Sequence, residues 1–146
     1  VMRGYSSIGL FRPKDRNNIG GVMRAAMVYG ASMVAIQGDR SAVSSSADTT
    51  KAWRHIPVLR GGDLFEMVPY DCVPVAVDLI EDAVPLPRFQ HPERAFYIFG
   101  PEDGTLGKQH TDRCRWKVMV PTRFCMNLAA TVNVILYDRL AKMGVA

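Results

Sequence analysis

The chain has 146 residues, of which 48% are hydrophobic and 22% charged, a composition that suits one soluble domain (1–146) with a sizeable core. No apolar run approaches the ~18 residues of a membrane-spanning helix, and no signal peptide is visible. Three cysteines without CxxC spacing, and three scattered histidines (His55, His91, His110), argue against a disulfide framework and against metal binding. A reducing, cytoplasmic setting is expected, with no membrane association. Val1 stands before Met2, so the natural start is expected upstream.

The net charge of +4 is unevenly spread. Residues 1–60 carry nine Lys/Arg against three Asp/Glu, whereas residues 61–146 carry nine against eleven. Arg12, Lys14, Arg16 and Arg24 supply much of the excess. They form either a solvated basic face or a surface for nucleic-acid phosphates.

In chain order, "SSIGLF" (Ser6–Phe11) reads as a short buried strand. "NNIGGVMRAA" then starts a helix, because Ile19, Val22, Met23 and Ala26 recur at i, i+3, i+4 and i+7. Asn17 or Asn18 is expected to cap it, and the paired glycines to leave its start bare for a close approach. "SMVAIQ" (Ser32–Gln37) is a second strand. A Ser/Thr/Ala run leads to a short helix around Thr49–His55, "IPVL" to a small strand and "GDLFEMV" to a helical turn. "VPVAVDL" (Val73–Leu79) is a strand, "EDAVPLPRFQHPE" a proline-rich loop and "AFYIF" (Ala95–Phe99) another strand. "GPEDGTLG" is a glycine-rich loop, "KQHTDRC" a weak helix and "WKVMV" (Trp116–Val120) a strand. A long helix from about Asn127 to Met143 ends the chain. It is apolar nearly all round and therefore buried, within the domain or against another subunit. For a protein of this size a partner subunit is the commoner answer.

Strands that alternate with helices and are themselves almost wholly apolar imply an α/β fold: a parallel sheet covered by helices on both faces. Such sheets bind ligands at the carboxyl ends of their strands. The loops after Val77, Phe99 and Val120 are therefore the candidate site.

Taken singly, the motifs there are weak. "FGPEDGTLG" is neither a dinucleotide fingerprint nor a P-loop, and Asn127 is explained as a helix cap alone. Taken together, "NNIGGVMRAA", "FGPEDGTLG" and "VMVPTRFCMNLAATVNVILYDRL" resemble, in order and spacing, the three motifs of the SpoU/TrmH branch of the SPOUT RNA methyltransferases. "TTKAWRHIPV" is similar to the stretch those proteins carry between the first two. The last motif looks closest to the compact branch that methylates the wobble ribose of tRNA.

The resemblance implies a sheet whose C-terminal part forms a deep trefoil knot, roughly from "VPVAVDL" to the last helix. It implies S-adenosylmethionine as cofactor, an RNA 2′-O-methyltransferase activity and a homodimer. Position by position, it assigns Asn18, Arg24, Glu102 and Asn127 to catalysis. Val77, Gly100, Glu102, Gly104, Gly107, Val120, Cys125, Met126 and Leu128 would hold the cofactor. Arg12, Lys14, Arg16 and Arg24 would hold RNA, most simply the anticodon loop of tRNA, with ribosomal RNA as the alternative. Two positions depart from the family pattern: Cys125 stands where serine is usual, and Thr105 where the second motif has glycine. A guanidinium with pKa above ~12 is a poor base at neutral pH, so Arg24 is expected to orient phosphate and stabilise the developing alkoxide. The competing readings are a non-catalytic RNA-binding module on the same fold and a flavodoxin-like nucleotide or flavin protein using "RPKDRNNIGG" as its phosphate loop.

Overall fold

The computed structural model describes residues 4–41 and 52–144. Seven strands form one sheet: β1 (Tyr5–Phe11), β2 (Val34–Gln37), β3 (Val58–Gly61), β4 (Val73–Val77), β5 (Val84–Pro85), β6 (Arg94–Phe99) and β7 (Trp116–Met119). Every pairing is parallel, in the order β3-β2-β1-β6-β4-β7-β5. Among the described residues, three α-helices accompany them: α1 (Arg16–Tyr29), α2 (Lys108–Thr111) and α3 (Leu128–Met143).

The two faces of the sheet are covered unequally. Side chains alternate across a strand, so Ile8 and Leu10 of β1, Val75 and Val77 of β4, and Ala95, Tyr97 and Phe99 of β6 point to one face. There they meet the buried stripes of α1 and α3 in the larger core cluster. Ala76, Phe96 and Ile98 point to the other face, and join Met33, Leu64, Leu106 and Cys114. Both long helices lie on the first side. The second is covered by a helical turn at Leu64–Glu66, by short α2 and by loops. Gly9 faces that side too, and a side chain is excluded there because a Cβ would lie 2.6 Å from the Phe96 ring.

Several local expectations are corrected. The cap of α1 is Asp15, whose carboxylate accepts from the Asn17 N–H at 2.7 Å, and not Asn17 or Asn18. The glycine pair does not leave the helix start bare. Gly20 is buried, and a Cβ on Gly21 would stand 2.7 Å from the Ala129 Cβ. These residues are small because α1 and α3 approach closely there. The proline-rich loop contains β5 and a turn at Leu86–Arg88; a two-residue edge strand is too short to show a period. Of the helix expected around Thr49–His55, the described residues show the turn Ala52–Arg54, and the expected start lies outside the described residues. Much of α3 is buried within its own chain, through Leu128, Val132, Ile135, Leu136 and Arg139.

A polar network closes the amino-terminal end of the sheet. Arg139, 1% exposed, donates to the carbonyls of Pro92 and Glu93 at 2.7 Å each and to the Tyr97 hydroxyl at 3.0 Å. His91, its side chain wholly buried, lies 2.7 Å from both the Tyr97 hydroxyl and the Asp138 carboxylate. Burial lowers the His91 pKa from its ordinary value, and the attraction of Asp138 only partly opposes this.

Two outcomes follow for stability. Gly21→Ala gains about 1 kcal/mol of helix propensity yet should destabilise the protein, through the clash with Ala129. The same substitution in an Ala129→Gly background should stabilise it, as urea midpoints will show; the same sign in both backgrounds would refute close packing as the reason for glycine. The second concerns acid. Because the His91 pKa is lower folded than unfolded, the unfolded chain binds the proton first, so its contribution falls as pH drops below ~6.5. The stability difference between wild type and His91→Gln should therefore narrow from pH 7.5 to 5.5 in denaturant titrations.

Candidate active site

The strands β6, β4 and β7 are neighbours in the sheet, so the loops leaving their carboxyl ends converge. Between them lies a cavity of about 390 Å³. Val77 and Asp78 reach it from β4, Phe99 to Glu102 and Gly104 from β6, and Val120 and Thr122 from β7. Cys125, Met126, Asn127, Leu128 and Thr131 close it from the start of α3, and Asn18 from α1.

Each loop is fixed by a specific contact. Asp78 follows the last residue of β4, and its N–H continues the ladder by donating to the Val118 carbonyl at 3.1 Å. Its carboxylate accepts from the Leu79 N–H at 2.8 Å and from the Leu106 N–H at 3.1 Å. Asp78 thus links the β4 loop to the glycine-rich loop after β6. Gly100 lets that loop double back: a Cβ there would be 2.9 Å from the Leu106 nitrogen. Asn127 caps α3 by accepting from the Ala130 N–H at 2.7 Å.

Glu102 joins the glycine-rich loop after β6 to the segment that leads into α1. One carboxylate oxygen accepts from the Lys14 N–H at 2.9 Å; the other accepts from the Asp15 N–H at 2.9 Å and the Asn18 side-chain amide at 3.1 Å. Burial raises its pKa and is the largest single influence. Hydrogen bonds from the Lys14 and Asp15 N–H groups, from its own backbone and from the Asn18 side chain together outweigh it, so the carboxyl sits below its ordinary value. This charged acceptor is held ionised by the loop it organises.

A second groove lies on the far side of Asn18 and Glu102, lined by Lys14, Asp15, Arg16, Asn18, Ser41, Glu102 and Asp103. At its lip, Arg40 makes a bidentate pair with Asp103, at 2.7 and 3.1 Å. Those bonds push the Asp103 pKa down to about 2. Arg40 also donates to the Arg12 carbonyl through two nitrogens, at 2.8 and 3.1 Å.

The sequence-predicted residues divide accordingly. Val77, Gly100, Glu102, Gly104, Val120, Cys125, Met126, Asn127 and Leu128 surround one cavity together with Asn18. Gly107 does not line it; with φ of 79° it is the residue that turns the chain into α2. Arg24 is exposed on α1 and also lies outside the cavity lining. Lys14 and Arg16 line the second groove, whereas Arg12 and Arg24 do not. Asp78, Leu79, Thr122 and Thr131 were missed in the sequence, as were Arg40 and Asp103. The strand-end rule alone pointed to Asp78. Arg40 gave no signal, since its partner lies 63 residues away. Among the described residues, no group of three or more His, Cys, Asp or Glu is gathered as a metal site would require, and no helix is long and apolar enough to cross a membrane.

Comparison with known proteins agrees with this architecture. No curated protein sequence matches the chain. The structure of the SpoU methyltransferase AviRb from Streptomyces viridochromogenes superposes with a TM-score of 0.85 at 20% identity, over 98% of this chain and 61% of that one. An rRNA methyltransferase from Sinorhizobium meliloti gives 0.86 at 19% identity, over 99% and 58%. This chain thus spans about three fifths of the length of those two proteins. A structure described as giving insight into the 2-OH methylation of C/U34 on tRNA gives 0.79 at 22% identity, over 93% and 94%. At such identities the likeness establishes the fold. The family model described as the SpoU rRNA methylase family matches residues 6–137, spanning both halves of the cavity, and the chain belongs to that family.

Proposed function

We propose that this protein transfers a methyl group from S-adenosylmethionine to a ribose 2′-hydroxyl of tRNA, acting as a cytoplasmic homodimer. The observation that carries the reading is the convergence of Asn18, Glu102 and Asn127, one from each motif, on a single cavity.

The residues present fit the cofactor. A cavity of about 390 Å³ falls in the ~300–1,000 Å³ range of small-molecule sites. Val77, Leu79, Val120, Met126 and Leu128 offer an apolar wall for an adenine ring, and Asp78, Asn127 and Thr131 offer polar groups. The tight Gly100–Leu106 fold-back brings backbone to the cavity rim. When bound, S-adenosylmethionine supplies an electrophilic methyl group on a positively charged sulfur.

The chain's own part is alignment and charge. Glu102 is unsuited as a base, because its oxygens already accept three hydrogen bonds. It holds the Lys14–Asn18 segment, and with it one wall of the cavity. Arg24 binds a phosphate of the RNA and stabilises the alkoxide forming at the attacking oxygen, whose proton leaves to that phosphate or to water. Its position outside its own cavity supports a dimer in which each Arg24 serves the other protomer's cavity. Val28 and Tyr137 are 60% and 59% exposed, on α1 and α3, where Tyr29 and Tyr137 meet edge to face. That apolar face is the proposed dimer contact.

The proposal includes a deep trefoil knot between β4 and α3. Its support is the family membership and the insertion of β4 between β6 and β7. For the substrate, Lys14 and Arg16 beside the cavity suit RNA phosphates. The similar structure concerned with C/U34 on tRNA, matched over nearly its whole length, supports tRNA. The family description and the Sinorhizobium enzyme favour ribosomal RNA as the second reading.

Incubation with methyl-labelled S-adenosylmethionine and separate tRNA and ribosomal RNA pools distinguishes the two. Label in tRNA as a 2′-O-methylnucleoside is expected. Label only in ribosomal RNA would overturn the tRNA reading, and label on a base would overturn ribose methylation.

Arg24→Ala should leave cofactor affinity in calorimetry nearly unchanged while methyl transfer falls by about 10²-fold. Gly100→Val should block the cavity. Mixing the two inactive variants should restore about a quarter of wild-type activity, since half the dimers then hold one complete site; no recovery on mixing would refute sharing between protomers. Glu102→Gln should lower turnover about tenfold or more, because an amide cannot accept from all three donors. The Glu102 pKa is depressed in the folded state, so its anchoring is present at neutral pH and lost as pH falls through that lowered value. Activity that declines with acid in wild type and stays flat in Glu102→Gln would show this.

A further inference from the structure

Between the basic segment after β1 and the glycine-rich loop after β6 there is a second tie besides Glu102. The Arg40 guanidinium uses two adjacent edges at once. Nε and Nη2 hold the Arg12 carbonyl at 3.1 and 2.8 Å, and Nη1 and the same Nη2 hold the Asp103 carboxylate at 3.1 and 2.7 Å. The backbone completes the arrangement: Arg12 N–H donates to the Gln37 carbonyl at 2.7 Å, and Arg40 N–H to the Pro13 carbonyl at 3.0 Å. Arg12 is held in a left-handed conformation, φ 51°, which L side chains rarely adopt. Gly38, φ 69°, lies against its side chain, where a Cβ would come within 3.0 Å of the Arg12 Cγ. An unfavourable turn persists only when its surroundings fix it, and Arg40 is the side chain that fixes this one.

We infer that Arg40 and Asp103 form a positioning pair for the acceptor groove, holding the Arg12–Asn18 segment against the cofactor loop so that an RNA ribose–phosphate lying along Lys14, Arg16 and Ser41 meets the methyl donor in line. The inference rests on the methyltransferase reading above. Neither residue lines the cofactor cavity, while Asp103 lines the groove next to it. The pair therefore acts on the acceptor side. Exposed ion pairs contribute little to global stability, and the side chains of Arg40 and Asp103 are 30% and 45% exposed. Their role is local geometry. Lysine cannot replace Arg40, since an ammonium cannot present two planar donor pairs on adjacent edges to a carbonyl and a carboxylate at once.

The test uses Arg40→Ala, Arg40→Lys, Asp103→Ala and the double alanine variant in the full chain. Calorimetry with S-adenosylmethionine should give dissociation constants within about threefold of wild type, and melting temperatures should be nearly unchanged. Turnover on RNA should fall about tenfold or more in each single variant, Arg40→Lys included, and the double should be no worse than the worse single, as for one shared interaction. Amide exchange should quicken at Lys14 and Asp15, whose N–H groups the segment presents to Glu102. Additive losses, wild-type turnover in Arg40→Ala, or unchanged exchange at both amides would each overturn the pair's role. If wild type methylates no RNA, the exchange measurement still decides whether the pair orders the segment, and the failure then belongs to the functional reading alone.

Discussion

A carboxylate that accepts three hydrogen bonds from a distant segment of the chain organises this candidate site. Glu102 lies 84–88 residues from its donors at Lys14, Asp15 and Asn18. Two of those donors are backbone N–H groups just before α1, where no helical partner exists for them. The charge sits at the positive end of the α1 dipole, so the helix and the acid stabilise each other. Because the same residue lies on the loop that rims the cavity, the order of the first motif and the shape of the cavity are one property.

The sheet explains why that tie is possible. β1 and β6 pair in parallel from Tyr5–Arg94 to Leu10–Phe99, so their carboxyl ends finish side by side. Whatever follows β1 must lie next to whatever follows β6. The segments after these strands are the basic stretch "RPKDRNN" and the glycine-rich "GPEDGTLG". The segments proposed to bind phosphate and cofactor are thereby adjacent without a dedicated linker. Arg40, after β2 on the other side of β1, reaches across the same edge to Asp103.

The two ends of the sheet have different tasks. At the amino-terminal end, Arg139, Tyr97, His91 and Asp138 form a buried network that caps strand starts with side-chain donors and fixes α3. At the carboxyl end, the polar groups of Asp78, Asn127 and Glu102 are spent partly on backbone N–H groups yet remain at a cavity wall. At this end loops from both halves of the chain meet an open volume.

Much of this was legible from sequence. Near-continuous apolar strands such as "VPVAV" and "AFYIF" determine a parallel sheet, because only a strand buried on both faces needs no polar alternation. The strand-end rule located the loops, and motif order identified the residues around the cavity. Tertiary structure decided the rest, for reasons that lie in pairs of residues distant along the chain. Gly21 looked like an open helix start; it is small because Ala129 is 2.7 Å from where its Cβ would be. Asn18 looked like a cap; Asp15 took that place, leaving the Asn18 amide to Glu102. Arg40 carried no pattern at all, since its meaning depends on a carbonyl and a carboxylate that only the folded sheet brings within its reach. Periodicity and motif spacing are local properties and survive in the sequence. A hydrogen bond across 63 residues is set by strand register, and exists only once the sheet has formed.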